Sequence, residues 1–184
     1  MKNKIIVALD GLPGGGKTTL AQWLSKELDG VYIPEIVSTD KYRPDQDEYY
    51  IESELEKVKI AAAIDKKFCF LDRSHISMLA YNYGKKVNGL ENIYDLLINS
   101  FKAMPEPDLY VYLKITDVSV CNQRKGTDGR NPVWINIKNL EKIREYYDNF
   151  FSIKTNKLII PVDELNIGEA YKLIINYLKI NYGE

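Results

Sequence analysis

Ile5-Ile6-Val7-Ala8-Leu9-Asp10-Gly11-Leu12-Pro13-Gly14-Gly15-Gly16-Lys17-Thr18 is the stretch that decides the fold. Its first five residues are apolar without alternation. A strand covered on both faces reads this way, as the middle strands of a parallel sheet do. Residues 11–18 then match the pattern G-x-x-x-x-G-K-[ST], and a helical pattern opens at residue 17. In that strand–loop–helix setting, glycines let successive backbone N–H groups converge on phosphate oxygens. The N-terminus of the following helix adds partial positive charge. Lys17 reaches for the β- and γ-phosphates, and the Thr18 hydroxyl is a ligand for Mg²⁺. The expected nucleotide is ATP with Mg²⁺ as cofactor. Its binding set is Gly11, Leu12, Pro13, Gly14, Gly15, Gly16, Lys17, Thr18 and Thr19.

Outward from this loop, short apolar runs alternate with longer amphipathic ones, which predicts an α/β fold with a parallel sheet. The strand candidates are residues 4–10, 30–35, 68–72, 108–114 and 157–162. The helix candidates are 17–28, 47–66, 74–87, 90–103, 116–124, 136–152 and 166–181. Over 136–152, Ile137, Leu140, Ile143, Tyr147, Phe150 and Phe151 recur at three- and four-residue spacing and form one apolar face. Gly126, Gly129 and Pro132 break the pattern and predict a mobile lid over about 124–134. The 184 residues fit one domain, 1–184, without a linker or repeat.

Charge balance narrows the partners. With 25 basic and 26 acidic residues the net charge is -1, which predicts neither a nucleic-acid nor a membrane-surface partner. Cys69 and Cys121 make no disulfide framework or metal spacing. The apolar run at residues 5–9 is too short for a signal segment or a membrane span. The expected setting is the cytoplasm.

A phosphate loop alone does not separate kinases from GTPases. A guanine-specific Asn-Lys-x-Asp is absent: Asn156-Lys157 runs on into Leu158-Ile159. Nor does Asp72-Arg73-Ser74-His75 supply an Asp-x-x-Gly switch. Asp72 ends a buried strand near the loop, where its carboxylate holds Mg²⁺ directly or through water, or else caps the next helix. Arg73 beside it can clamp a phosphate or carboxylate through two N–H groups. Glu35 follows a strand at the edge where α/β sheets bind ligands, placing it as a general base or sugar contact.

Residues 72–82, Asp-Arg-Ser-His-Ile-Ser-Met-Leu-Ala-Tyr-Asn, resemble the thymidylate kinase family, with its Asp-Arg, Ser and Ala-Tyr-Gln at the same spacing. The same residues resemble the Glu-Arg-Ser motif of deoxynucleoside kinases, as does Tyr32-Ile33-Pro34-Glu35. Downstream, Pro107 to Leu113, Arg124 to Arg130 and Asn139 to Asp148 are similar to the family's fourth strand, lid and following helix. The chain departs from the thymidylate kinase pattern at Pro13, Pro34, Ile36, Ser74 and Asn82.

The resemblance implies a three-layer α/β/α fold with five parallel strands in the order 2-3-1-4-5. It implies ATP-dependent phosphoryl transfer to a nucleoside or nucleoside monophosphate. Lys17, Asp72, Arg73, Glu35 and Arg130 are then the catalytic candidates, with Thr18 and Asp72 on the metal and Arg124 on ATP. Glu35, Arg73, Ser77, Tyr81 and Asn82 hold the acceptor, with Lys41 or Arg43 as further cations, Tyr49 and Tyr50 as stacking residues, and Lys125 and Arg144 as weaker candidates. His75 is structural or pocket-lining. The partners are ATP and a small-molecule acceptor, and a homodimer is among the expectations. A kinase of another metabolite, or a nucleotide switch without an acceptor, remains open at this point. Replacing the Lys17 cation, Lys17→Ala, is expected to abolish phosphoryl transfer at saturating ATP while leaving the circular dichroism spectrum unchanged.

Overall fold

The computed structural model describes residues 4–38, 43, 46–126, 129 and 131–183. Five parallel strands, β1 (Ile5–Asp10), β2 (Val31–Ile33), β3 (Phe68–Asp72), β4 (Leu109–Lys114) and β5 (Lys157–Pro161), form one sheet in the order β2-β3-β1-β4-β5. The helices are α1 (Lys17–Glu27), α2 (Asp47–Ala63), α3 (His75–Val87), α4 (Tyr94–Phe101), α5 (Ser119–Lys125), α6 (Ile137–Ile153) and α7 (Ile167–Tyr182). Among the described residues no helix is long and apolar enough to cross a membrane.

The apolar run of β1 becomes the middle strand, with Leu9 opposite Asp72 of β3 and Val111 of β4. Val7 to Asp10 are fully buried. In β4 alternate residues face opposite layers. Tyr112 stacks on Phe151 of α6 at 4.7 Å, and its hydroxyl donates to Asp148 Oδ1 at 3.0 Å. Leu113 instead lies under the glycine loop. Each such fully buried large apolar side chain contributes about 1.5–3 kcal/mol. α3 packs on α4 and α6. A Cβ at Gly84 would stand 2.7 Å from Ile143 Cγ1, so glycine sets the spacing of α3 and α6.

Local details depart from the sequence reading. The cap of α3 is Ser74, whose hydroxyl accepts from the Ile76 N–H, so Asp72 is not spent on capping. Arg124 and Lys125 sit in the last turn of α5, because the break comes only at Gly126, with φ 67°. Part of the expected irregular segment is a 3-10 helix, Pro132–Trp134, capped by Asn131. Helix 90–103 is shortened to Tyr94–Phe101, since Asn92 and Asn82 hold the preceding turn through the Tyr94 and Ile93 N–H groups.

Gly11 tests the central turn. Its φ is 138°, and a Cβ there would lie 2.4 Å from the Leu113 carbonyl oxygen. Gly11→Ala is expected to destabilise the protein by about 2–3 kcal/mol, read as a lower midpoint in urea.

Candidate active site

The parallel sheet brings the C-terminal ends of β1, β2 and β3 to one edge, and the candidate side chains gather there. Gly14 and Gly16 both have positive φ, 80° and 86°, which turns the loop around the start of α1. Lys17 is buried inside it and donates to the Leu12 carbonyl at 2.7 Å. Burial, and then the nearby Arg73, push the Lys17 amine down to about 7. Thr18 donates its hydroxyl to Asp72 Oδ2 at 2.6 Å, and Tyr32 donates to the same oxygen at 3.1 Å. The other oxygen, Asp72 Oδ1, is buried with no hydrogen-bond partner among the described residues.

Arg73 is the hub. Its backbone is left-handed, φ 68°, and its N–H donates to the Leu9 carbonyl at 3.0 Å. The guanidinium meets Glu35 Oε1 at 2.8 Å, donates to the Gly11 carbonyl at 2.9 Å, and lies over the Trp134 ring at 5.5 Å. Asp10, which the sequence reading passed over, lies fully buried beside it. Its carboxylate accepts from the Ser74 N–H and hydroxyl and from the Ser77 hydroxyl, at 3.1, 2.7 and 2.7 Å. Ser77 in turn accepts from the Tyr147 hydroxyl at 2.8 Å. Tyr32, Glu54, Lys57, Trp134 and Tyr147 were also missed. Only Asp10 carried a signal, as an acid closing a buried strand against the glycine loop.

Two cavities open on this hub. One, of about 630 Å³, is lined by Pro13, Gly14, Gly16, Lys17, Thr18, Thr19, Arg124 and Lys125. Arg124 donates to the carbonyls of Gly14 and Val162. The other, of about 380 Å³, is lined by Tyr50, Ser77, Tyr81, Asn82, Asn131 and further residues of α2 and α3. Glu35, Arg73 and Trp134 line both. The Tyr81 ring packs at a tilt against Trp134, centroids 4.8 Å apart, and its hydroxyl accepts from Asn131 at 3.2 Å. The amide of Asn82 is engaged with Met78 and Ile93, so it shapes the wall through its side chain's position. Tyr49 is buried against Tyr50. Arg144 donates instead to the Thr116 carbonyl and lines neither cavity. Arg130 and Lys41 lie outside the described residues.

Fold, glycine loop and twin cavities define a class, the P-loop kinases. A family model described as thymidylate kinase matches residues 49–174, well over half of the chain. The chain belongs to the thymidylate kinase family and is an ATP-dependent nucleotide kinase. It is 24% identical over 196 residues to a probable thymidylate kinase of Picrophilus torridus, covering 95% of this chain and 92% of that one. It is also 24% identical over 194 residues to one of Methanocaldococcus jannaschii, covering 97% and 98%. Among solved structures, a deoxyadenosine kinase from M. mycoides with bound dATP aligns with a TM-score of 0.70 at 19% identity, covering 95% of this chain and 99% of that one. Thymidylate kinase from Candida albicans aligns with a TM-score of 0.70 at 17% identity, covering 98% and 93%. Those two likenesses are of fold.

His75 is buried against Phe101, ring centroids 5.5 Å apart, and burial pushes its imidazole down to about 4. A depressed folded value means that neutral His75 contributes stability above about pH 6.5, lost as pH falls toward 4. Between pH 7.5 and 5 the wild type is expected to lose about 2 kcal/mol through this residue. Urea unfolding of His75→Gln at both pH values checks it, since the variant should lack that share of the slope.

Proposed function

We propose that this kinase transfers the γ-phosphoryl group of ATP to a nucleoside 5′-monophosphate seated in the 380 Å³ cavity. The observation that carries the reading is that Glu35, Arg73 and Trp134 line both cavities. Donor and acceptor would therefore meet at the Glu35–Arg73 pair. A monophosphate is already anionic and needs cations rather than a base. Arg73, buried and aimed at the junction, supplies the charge, and Tyr81 with Trp134 offers an aromatic wall for the base.

On the donor side, Gly11 to Thr19 cradle the triphosphate, Lys17 takes its terminal charge, and Arg124 covers it beside Gly14. Mg²⁺ fits the donor set: Thr18 Oγ1 and the Asp72 carboxylate are hard oxygens, and Asp72 Oδ1 has no hydrogen-bond partner among the described residues. Among the described residues no cluster of three His, Cys, Asp or Glu could hold a metal. Bound there, the ion neutralises phosphate charge during transfer. The segment 124–134 is the candidate lid that closes over the site and excludes water, with Arg130 the candidate to reach the transferring group. The chain works as one unit, alone or as a homodimer, and its two buried free thiols suit the cytoplasm.

A second reading has one observation behind it. Glu35 is half-exposed at the junction and could accept a proton from the 5′-hydroxyl of a nucleoside. The two acceptors separate kinetically. With monophosphates, Arg73→Ala is expected to raise the acceptor KM and lower kcat at least about a hundredfold, and Glu35→Gln to act less. A loss of about a hundredfold in Glu35→Gln, together with preference for nucleosides across a substrate panel, would move the conclusion to the second reading.

A further inference from the structure

Behind the Glu35–Arg73 pair, on the side away from the donor cavity, helix α2 turns a polar stripe inward. Tyr49, Ser53, Lys57 and Ala61 recur at four-residue spacing and are buried, together with Glu54. Lys57 is 1% exposed. An ammonium carries three N–H donors and no acceptor. All three donors of Lys57 are placed: on Glu54 Oε1 at 2.7 Å, on the Arg73 carbonyl at 3.0 Å and on the Glu35 carbonyl at 3.2 Å.

The two carbonyls belong to segments leaving different strands, β2 and β3. Both segments need outside support. Residues 34 and 35 follow a strand of only three residues, and Glu35 is exposed. Arg73 holds a left-handed backbone, which costs a non-glycine residue about 1 kcal/mol or more and persists only where the surroundings over-determine it. A lysine present only to neutralise Glu54 would need one of its donors, and the i,i+3 helical spacing supplies that contact locally. The other two donors reach across to the backbone of the two residues whose side chains meet at the cavity junction.

We infer that Lys57, oriented by Glu54, is a positioning residue for phosphoryl transfer: it pins the Glu35 and Arg73 backbones at fixed separation so that their side chains present one rigid edge to the acceptor. The inference rests on the reading of Glu35 and Arg73 as the acceptor-end pair. Small displacements of groups that orient a reacting substrate are costly in rate, so the effect belongs in kcat and in the acceptor KM, not in the KM for ATP.

The test uses four variants in one steady-state assay with ATP and the best monophosphate of a panel, each followed by its thermal midpoint. Lys57→Met keeps length and apolar bulk but strands the Glu54 carboxylate, so its midpoint falls. Lys57→Met with Glu54→Gln removes both charges together and restores the midpoint, because a buried pair can be replaced without loss when neither partner is left alone. The double variant is expected to stay slow, with kcat down about tenfold or more, acceptor KM up several-fold and the KM for ATP within about twofold of wild type. Glu54→Gln alone keeps the two carbonyl bonds, so its kcat loss is expected to be clearly smaller than that of the double variant. A double variant with wild-type kcat and acceptor KM overturns the inference. Should the double variant not fold, equal kcat losses in Glu54→Gln and Lys57→Met at a temperature where both are folded overturn it instead. Arg73→Lys and Glu35→Gln run alongside. Full activity in both defeats the reading on which the inference rests; losses in both, beside a fast double variant, defeat the inference alone.

Discussion

Asp10 is a carboxylate at zero exposure, on the last residue of the strand at the middle of the sheet. A charge so placed must be met by donors or it costs several kcal/mol. The donors that meet it come from the start of α3: the Ser74 N–H, the Ser74 hydroxyl and the Ser77 hydroxyl. That demand ties β1 to the turn after β3, and through Ser77 and Tyr147 it extends to α6. The turn so held contains Arg73. Its left-handed backbone is thus flanked by the Leu9 bond on one side and the Asp10 bonds on the other. The glycine loop begins one residue after Asp10, so that loop and the arginine hub share one anchor.

Around that anchor the charges nearly balance. Asp10, Glu35, Asp72 and Glu54 face Lys17, Arg73 and Lys57 across short distances. The buried groups respond as low dielectric dictates: Glu54 is pushed up to about 7 by burial, with Lys57 opposing, and Lys17 is pushed down to about 7. Glu35, Asp72 and Asp10 oppose that downward push on Lys17 without cancelling it.

The fold was legible wherever the signal was local or periodic. The unbroken apolar run of residues 5–9 marked the middle strand, and every predicted strand is present to within two residues at each end. The loop at 11–18 was legible because its chemistry is contiguous. Strand order came through the family likeness, since nothing in the periodicity dictates which strands are neighbours. The hub was legible only in halves. Arg73 and Glu35 stood out, yet their pairing spans 38 positions of sequence and is made by tertiary contact. Lys57 and Glu54 gave no signal: a Glu and a Lys three apart on a helix read as a solvated face, and here that face is turned inward. The helix candidate at 116–124 ended one residue early. The glycines begin at 126, so Arg124 and Lys125 before them are both helical.

The sheet's two rims have a bearing on how the molecule behaves in a crowded solution. An open strand border is a template for sticking to another chain. One border, β2, is three residues long and offers few free amides. The other, β5, opens with Lys157 and closes with Pro161, which has no amide hydrogen to give. Only Ile159 among its aliphatic residues is exposed. The short β2 border and the proline-closed β5 border both limit recruitment of a further strand, so the architecture that gathers the site at one end of the sheet leaves little open template at its flanks.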